Sequence, residues 1–347
     1  MLVEKRALAG MLARLSQSGE VIASPEKTKY LKDFLECRTA AKGGKLLRCV
    51  ECGTHAVVYN SCNRRGCPVC SQKNQLKWQL GMRERLLPTA HHHLVFSFPD
   101  SFTQKWIKQP KATIHELLAG VRKTISRLES QRELSLGTIL VFQSHCSGLA
   151  FKAHVHCLIT DGGLDKDDKW QPLGVLPLGE MTQWLKQALV SQEQSKSWRI
   201  HESRHQVGGE AIVQYLGQRL NGSVVSAQEV QEQGNAVAVS TRSGLVELIS
   251  STFALRYLTH IPPKGTVMVR SCGLYSNRKK NQHELARVQL GGVAKLKEEG
   301  WVEHCPRCKG IMVIVFERLN RPFLFDHQSF GFGLDPPLHW ELSQVAS

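Results

Sequence analysis

The chain has 347 residues, 41% hydrophobic and 22% charged, which is globular material for about two domains and not a disordered tail. Lys and Arg number 45 against 30 Asp and Glu, a net of +15, and a surplus of this size points to a polyanionic partner, nucleic acid first. No apolar run approaches the roughly 18 residues that span a bilayer, and Glu4, Lys5, Arg6 and Arg14 interrupt the N-terminal stretch, so neither a membrane protein nor a signal peptide is expected.

In chain order, residues 1–36 predict a helical region of mixed charge, and 37–85 a Cys-rich, zinc-binding unit that contacts DNA. Residues 90–275 predict a domain of mixed strands and helices, and 276–347 a basic C-terminal region with one late Cys pair. Within these, Leu94–Phe98 reads as a buried strand stopped by Pro99 and Asp100. Ile114, Leu117, Leu118, Val121, Ile125 and Leu128 recur at helical spacing and predict a helix over 112–134. Strands are expected at 137–145 and 151–160, joined by a turn at Cys146, Ser147 and Gly148 and followed by a turn at Asp161, Gly162 and Gly163. Further helices are expected at 179–195, 210–220 and 246–260, with strands near 235–241 and 265–272. Helices and strands do not alternate regularly, which predicts an α+β fold with a central, largely antiparallel sheet flanked by helices.

The 11 cysteines are clustered. Cys37, Cys49, Cys52, Cys62, Cys67 and Cys70 crowd one segment, and Cys305 and Cys308 form the late pair. Paired thiols in a large basic chain read as metal ligands more readily than as disulfides. Zinc takes four tetrahedral ligands, and a CxxC turn supplies two of them. Cys49/Cys52 and Cys67/Cys70 could close one site; Cys37 and Cys62 could join a second with His55, or be the partners of one of the pairs. Cys305/Cys308 supply half a site, with His304 a candidate third ligand. Arg64 and Arg65, beside the second pair, are placed for DNA or for a solvated turn.

Alternation on the strand at 151–160 sets Phe151, Ala153, Val155, Cys157 and Ile159 on an apolar face. His154 and His156 then project together from the other face, where two imidazoles can grip one cation. A third ligand would come from the preceding strand, from Gln143 or His145. Downstream, Gly208 and Gly209 precede a helix carrying Tyr215, with Arg219 four residues later. A divalent ion held by two His can polarise a phosphate, and a phenolate can attack it. The Asp161, Asp165, Asp167 and Asp168 group sits on a Gly-containing turn beside Lys166 and Lys169 and reads as a solvated loop.

On His154-Val155-His156 and five further motifs, the chain resembles the rolling-circle transposases of the IS-91-like and ISCR elements, within the HUH nuclease superfamily. The other motifs are the Cys segment from Cys37 to Cys70, HLVFSFP at 93–99, QYLGQR at 214–219, RYLTHIPPKGTVMVRSCGLYSNRKK at 256–280 and CPRC at 305–308. The resemblance implies a metal-dependent single-stranded DNA endonuclease and strand transferase. His154, His156 and Gln143 would hold Mg²⁺ or Mn²⁺, and Tyr215 would be the nucleophile. It implies structural Zn²⁺ and a protein of the bacterial cytoplasm, at the nucleoid. The DNA would be single-stranded transposon ends and target sites, with host replication machinery following. Arg219, Arg256, Lys264, Arg270, Arg278, Lys279 and Lys280 would hold phosphates. Relative to the family pattern, Arg219 replaces a second tyrosine, Ala153 a proline, Gly66 a histidine before the second Cys pair, and Gln143 a histidine. A plasmid or phage replication initiator with the same chemistry, and a zinc-dependent DNA-binding protein without catalysis, are the competing expectations.

Overall fold

The computed structural model describes residues 2–21, 23–145, 149–189, 198–207, 209–220, 224–241, 244–292 and 303–319. The N-terminal region forms α1 (Leu2–Gln17) and α2 (Pro25–Leu35). The Ser24 hydroxyl accepts from the Lys27 amide at the start of α2, and Pro25 sits where a helix needs no amide donor. Then come β1 (Gly44–Cys49), β2 (His55–Tyr59) and α3 (Ser71–Arg85). The central portion comprises β3 (Ala90–Ser97), α4 (Asp100–Lys108), α5 (Pro110–Arg132), β4 (Ser135–His145), β5 (Phe151–Leu164), β6 (Trp170–Gln171), α6 (Leu178–Ala188), β7 (Arg199–Val207) and α7 (Glu210–Leu220). After it follow β8 (Val230–Gln233), β9 (Ala236–Thr241), β10 (Gly244–Ile249), α8 (Ser250–His260), β11 (Val269–Gly273), α9 (Lys280–Gln289), β12 (Glu303–His304) and β13 (Ile311–Leu319).

The fold is α+β, with antiparallel sheets flanked by helices. The central sheet runs β11-β4-β5-β3-β7, with β6 added on β5. Every pairing in it is antiparallel. Leu117, Val121 and Ile125 of α5 pack with Val155, Cys157 and Ile159 of β5 in one apolar core. A second core joins α1, α2, α8 and β9 around Cys37, Cys67 and Cys70. A third, small one holds Leu47, Cys49, Ala56, Cys305 and Met312. Among the described residues, no helix is long and apolar enough to cross a membrane.

Several expected elements shift. β5 does not turn at Asp161–Gly163 but runs on to Leu164, because β6 pairs with Gly163 and Leu164. The helix expected from 246 begins at Ser250; residues 244–249 form β10, drawn into a hairpin with β9. The strand expected at 265–272 is Val269–Gly273. Of the helix expected at 179–195, Leu178–Ala188 is seen and 190–197 lie outside the described residues, as do Cys146, Ser147 and Gly148. β1, β2, α3, α4, β6, β7, β8, α9, β12 and β13 were not expected at all.

Candidate active site and metal centres

The register of the central sheet builds one polar cluster. β4 and β5 pair Gln143 with His154, and β3 and β5 pair Val95 with His156. Gln143, His154, His156 and His93, two residues before Val95, therefore emerge from one sheet face. His154 Nε2 and His156 Nε2 lie 3.1 and 2.7 Å from Gln143 Oε1. His93 Nε2 lies 2.9 Å from His156 Nδ1, with the two rings stacked. Tyr215 on α7 covers the cluster, its ring centroid 5.8 Å from that of His93 and 5.8 Å from that of His156.

The protons on this cluster can be traced. His154 Nδ1 is 2.8 Å from the Lys152 carbonyl, which can only accept, so Nδ1 carries the hydrogen. In the neutral ring, Nε2 then presents a lone pair to Gln143 Oε1, itself an acceptor. Two lone pairs facing each other in this way form a donor set that a cation can bridge. Ligands at right angles around a small divalent ion, each about 2.1 Å from it, stand roughly 3 Å apart. The observed 2.7 and 3.1 Å separations fit that spacing. A carbonyl that takes the second ring hydrogen of a metal-binding His is the usual outer support.

The sequence expectations fall as follows. Gln143, His154, His156 and Tyr215 come together. The side chains of His145 and Arg219 lie outside the described residues. His93 was missed: it sits in a run of three His, and only strand register distinguishes it from His91 and His92. His91 instead meets Tyr275 Oη at 2.6 Å, and His92 lies between Glu202 and Asp161 at 2.7 and 3.0 Å. The Asp165 carboxylate accepts backbone hydrogens from Asp167 and Lys169, which makes that loop a turn. Two departures from the family pattern have local causes. The Ala153 amide donates to Thr103 Oγ1 at 3.3 Å, a bond proline could not make. Gly66 has φ +73°, and a Cβ there would stand 2.9 Å from Ile261 Cγ1.

Among the described residues, eight of the cysteines form two groups of four, in each of which the sulfurs lie within 4.8 Å of one another. The first is Cys37, Cys62, Cys67 and Cys70; the second is Cys49, Cys52, Cys305 and Cys308. The two early pairs thus do not share a site, and each turns to a different partner. β1 carries Cys49 beside β13, which brings the late pair across. Four sulfurs about 2.3 Å from a tetrahedral zinc stand about 3.8 Å apart. Cys62–Cys70 at 3.7 Å, Cys49–Cys308 at 3.5 Å and Cys52–Cys305 at 3.6 Å fit. Burial pushes the Cys67 thiol up, while the surrounding thiols hold Cys37 down. His55 and His304 belong to neither group; His304 Nδ1 donates to the Lys309 carbonyl.

The basic residues divide. Arg64 is tied into the first centre's surroundings, with Nε 2.6 Å from Asp33 and its guanidinium 4.8 Å over the Tyr30 ring. Arg65 is largely buried beside it, which lowers its pKa. Lys279 Nζ donates to Ser135 Oγ at 2.8 Å. Lys264, Arg278 and Lys280 are exposed, and Arg256 and Arg270 half-buried. Tyr257, the nearest alternative nucleophile in sequence, is buried and donates to the Gly66 carbonyl at 2.7 Å.

A sequence profile described as "Transposase zinc-binding domain" matches residues 10–98, and one described as "Putative transposase" matches 137–176 and 178–283. The chain is 23% identical to the "Putative transposase y4qJ" of Sinorhizobium fredii, over 71% of this chain and 73% of that protein. It is 25% identical to the "Transposase for insertion sequence element IS801" of Pseudomonas savastanoi pv. phaseolicola, over 71% of this chain and 69% of that protein. No solved structure matches. Two transposase profiles laid in order along the chain, two transposase relatives and two thiol tetrads sized for structural zinc lead to one conclusion: the chain belongs to the IS-91-like family of rolling-circle transposases, proteins that act on DNA.

Proposed function

We propose that this transposase is a single-stranded DNA endonuclease and strand transferase that works through one tyrosine. The carrying observation is the position of the Tyr215 ring, 5.8 Å from the His156 ring, beside the Gln143–His154–His156 donor set. Those three residues would hold Mg²⁺ or Mn²⁺, which supplies Lewis-acid polarisation of the scissile phosphate. His93 takes the Nδ1 hydrogen of His156 and so keeps its Nε2 lone pair directed at the site. Tyr215 Oη gives its proton to solvent and bonds to phosphorus; the bond to the 3′ oxygen breaks, and that oxygen takes a proton from solvent and leaves as a 3′ hydroxyl. The product is a 5′-phosphotyrosine, which conserves the ester for rejoining elsewhere, and the free 3′ end can prime host replication.

With Arg219 where a second tyrosine would stand, one covalent end is held at a time. The cysteine-rich segment at 37–85 would bind DNA, 90–275 would carry the nuclease, and 276–347 would be a basic C-terminal region that brings the late Cys pair to β1. Arg256, Lys264, Arg270, Arg278, Lys279 and Lys280 would contact phosphates, giving binding that weakens steeply with salt.

The test is covalent-adduct formation with Mn²⁺ and a labelled pool of random-sequence single-stranded DNA, resolved on a denaturing gel. A protein-linked band is expected in wild type and absent in Tyr215→Phe, His154→Ala and metal-free samples. An adduct that persists in Tyr215→Phe would overturn the nucleophile assignment. DNA retention without any adduct would favour the non-catalytic binding protein.

A further inference from the structure

The cysteine-rich region and the tyrosine helix are joined by a single rod. α3 starts inside the first thiol centre: Cys70 is its N-cap, and the Ser71 amide donates to the Cys67 carbonyl at 3.1 Å. At its other end Met82 is buried in the core of the central sheet, with Trp78 packed against that core. Between them lies Gln79, 6% exposed. A glutamine that deeply buried needs a partner for its amide. Its partner is on α7, where Gln79 Nε2 donates to the Gln214 carbonyl at 2.7 Å. That carbonyl belongs to the residue immediately before Tyr215.

A second contact fixes the same turn. A Cβ on Gly217 would stand 2.4 Å from Gln79 Cγ, so α7 comes this close to α3 only because residue 217 is glycine. Gln214, Tyr215 and Gly217 occupy one helical turn, and two of the three are set by Gln79. The hydrogen bond fixes the height of α7 against α3, and the glycine contact fixes its distance and rotation.

We infer that Gln79 is a positioning residue for Tyr215, the pin by which the zinc-binding region sets the tyrosine over the histidine cluster. The inference rests on the tyrosine reading above. Gln79 acts through α7, by its contacts to Gln214 and Gly217. A displacement of about 1 Å at a reacting group can cost a hundredfold in rate, so loss of the pin has leverage.

The test uses the full, zinc-loaded chain with 3-fluorotyrosine in place of tyrosine. The Tyr215 fluorine resonance is identified as the one missing from Tyr215→Phe. Gln79→Met keeps length and bulk but donates no hydrogen bond; Gly217→Ala pushes the two helices apart. In both, the Tyr215 resonance is expected to shift or broaden while those of Tyr30, Tyr257 and Tyr275 hold. With the random-sequence DNA pool and Mn²⁺, adduct formation at saturating DNA should slow about tenfold while the half-saturating DNA concentration stays within twofold.

A Tyr215 resonance and rate equal to wild type in Gln79→Met would overturn the inference, as would a loss of stability that moves every tyrosine resonance together. If Gly217→Ala does not fold, the volume-conserving Gln79→Met carries the test alone. An adduct surviving in Tyr215→Phe would remove the nucleophile reading itself, a result distinct from either outcome at Gln79.

Discussion

The two thiol centres have the same ligands and opposite surroundings. Cys37, Cys62, Cys67 and Cys70 are close in sequence and sit in an apolar core with Leu12, Phe34 and Phe253. Cys49, Cys52, Cys305 and Cys308 join β1 to β13, far apart in sequence, and Cys52 and Cys308 are exposed. The contrast teaches that ligand chemistry alone does not set what a structural metal does. The first centre is a keystone on which helices pack; the second is a clasp at the end of a sheet.

The largest effect should come from the keystone. Cys67→Ser leaves three thiols in a buried core, and the N-terminal region should lose cooperative unfolding altogether, seen by calorimetry and by zinc content. If Cys67→Ser unfolds like wild type, the distinction fails.

Acid probes the support around the same core. His260, on α8, is pushed down to about 4 chiefly by burial, with Arg256 and Lys27 adding to the effect. Its Nε2 donates to the Leu149 carbonyl, and its Nδ1 accepts from the Ser144 hydroxyl, each at 3.0 Å. The folded state holds this ring neutral, whereas the unfolded chain protonates it near 6.5. Its contribution is therefore complete above pH 6.5 and is lost as pH falls toward 4. Between pH 7 and 5 the loss should be about 2 kcal/mol, and denaturant titration of wild type against His260→Gln should show that slope only in wild type.

Tyr257→Phe removes the bond from α8 to Gly66 and leaves the carbonyl next to Cys67 without that donor. A cost of about 1–2 kcal/mol is expected, read as a shift in denaturant midpoint. Smallest is the clasp. Cys308→Ser should lower bound zinc by one ion per chain by elemental analysis, yet move the main thermal transition by only about 2 °C, since the affected strands open locally. A chelator should strip this exposed centre before the buried one, and the reverse order would invert the comparison.

The histidine cluster was readable because alternation on a strand is a strict rule: once residues 151–160 are a strand, His154 and His156 must share a face, and a short hairpin puts Gln143 opposite. His93 was not readable, since three consecutive His give no preference until Val95 is paired with His156. α3 escaped notice because Ser71 and Gln79, two of its buried positions, are polar, so the helix shows no apolar stripe. The thiol pairing escaped for a different reason. CxxC spacing says that two ligands share a turn and nothing about which distant turn completes them, and here Cys52 finds Cys305, 253 residues away. Only the pairing of β1 with β13 decides it.

That last pairing has a consequence for how the molecule is made. Cys49 and Cys52 emerge from the ribosome early and have no metal partners until Cys308 has been translated, because the early neighbours are claimed by the first centre. Contacts of such separation close slowly, after the local ones. A message broken between α8 and Cys305 would yield a chain that can still gather its first four thiols but leaves Cys49 and Cys52 on an unfinished sheet. The clasp therefore reports read-through: the second ion binds only a transposase whose translation has passed Cys308.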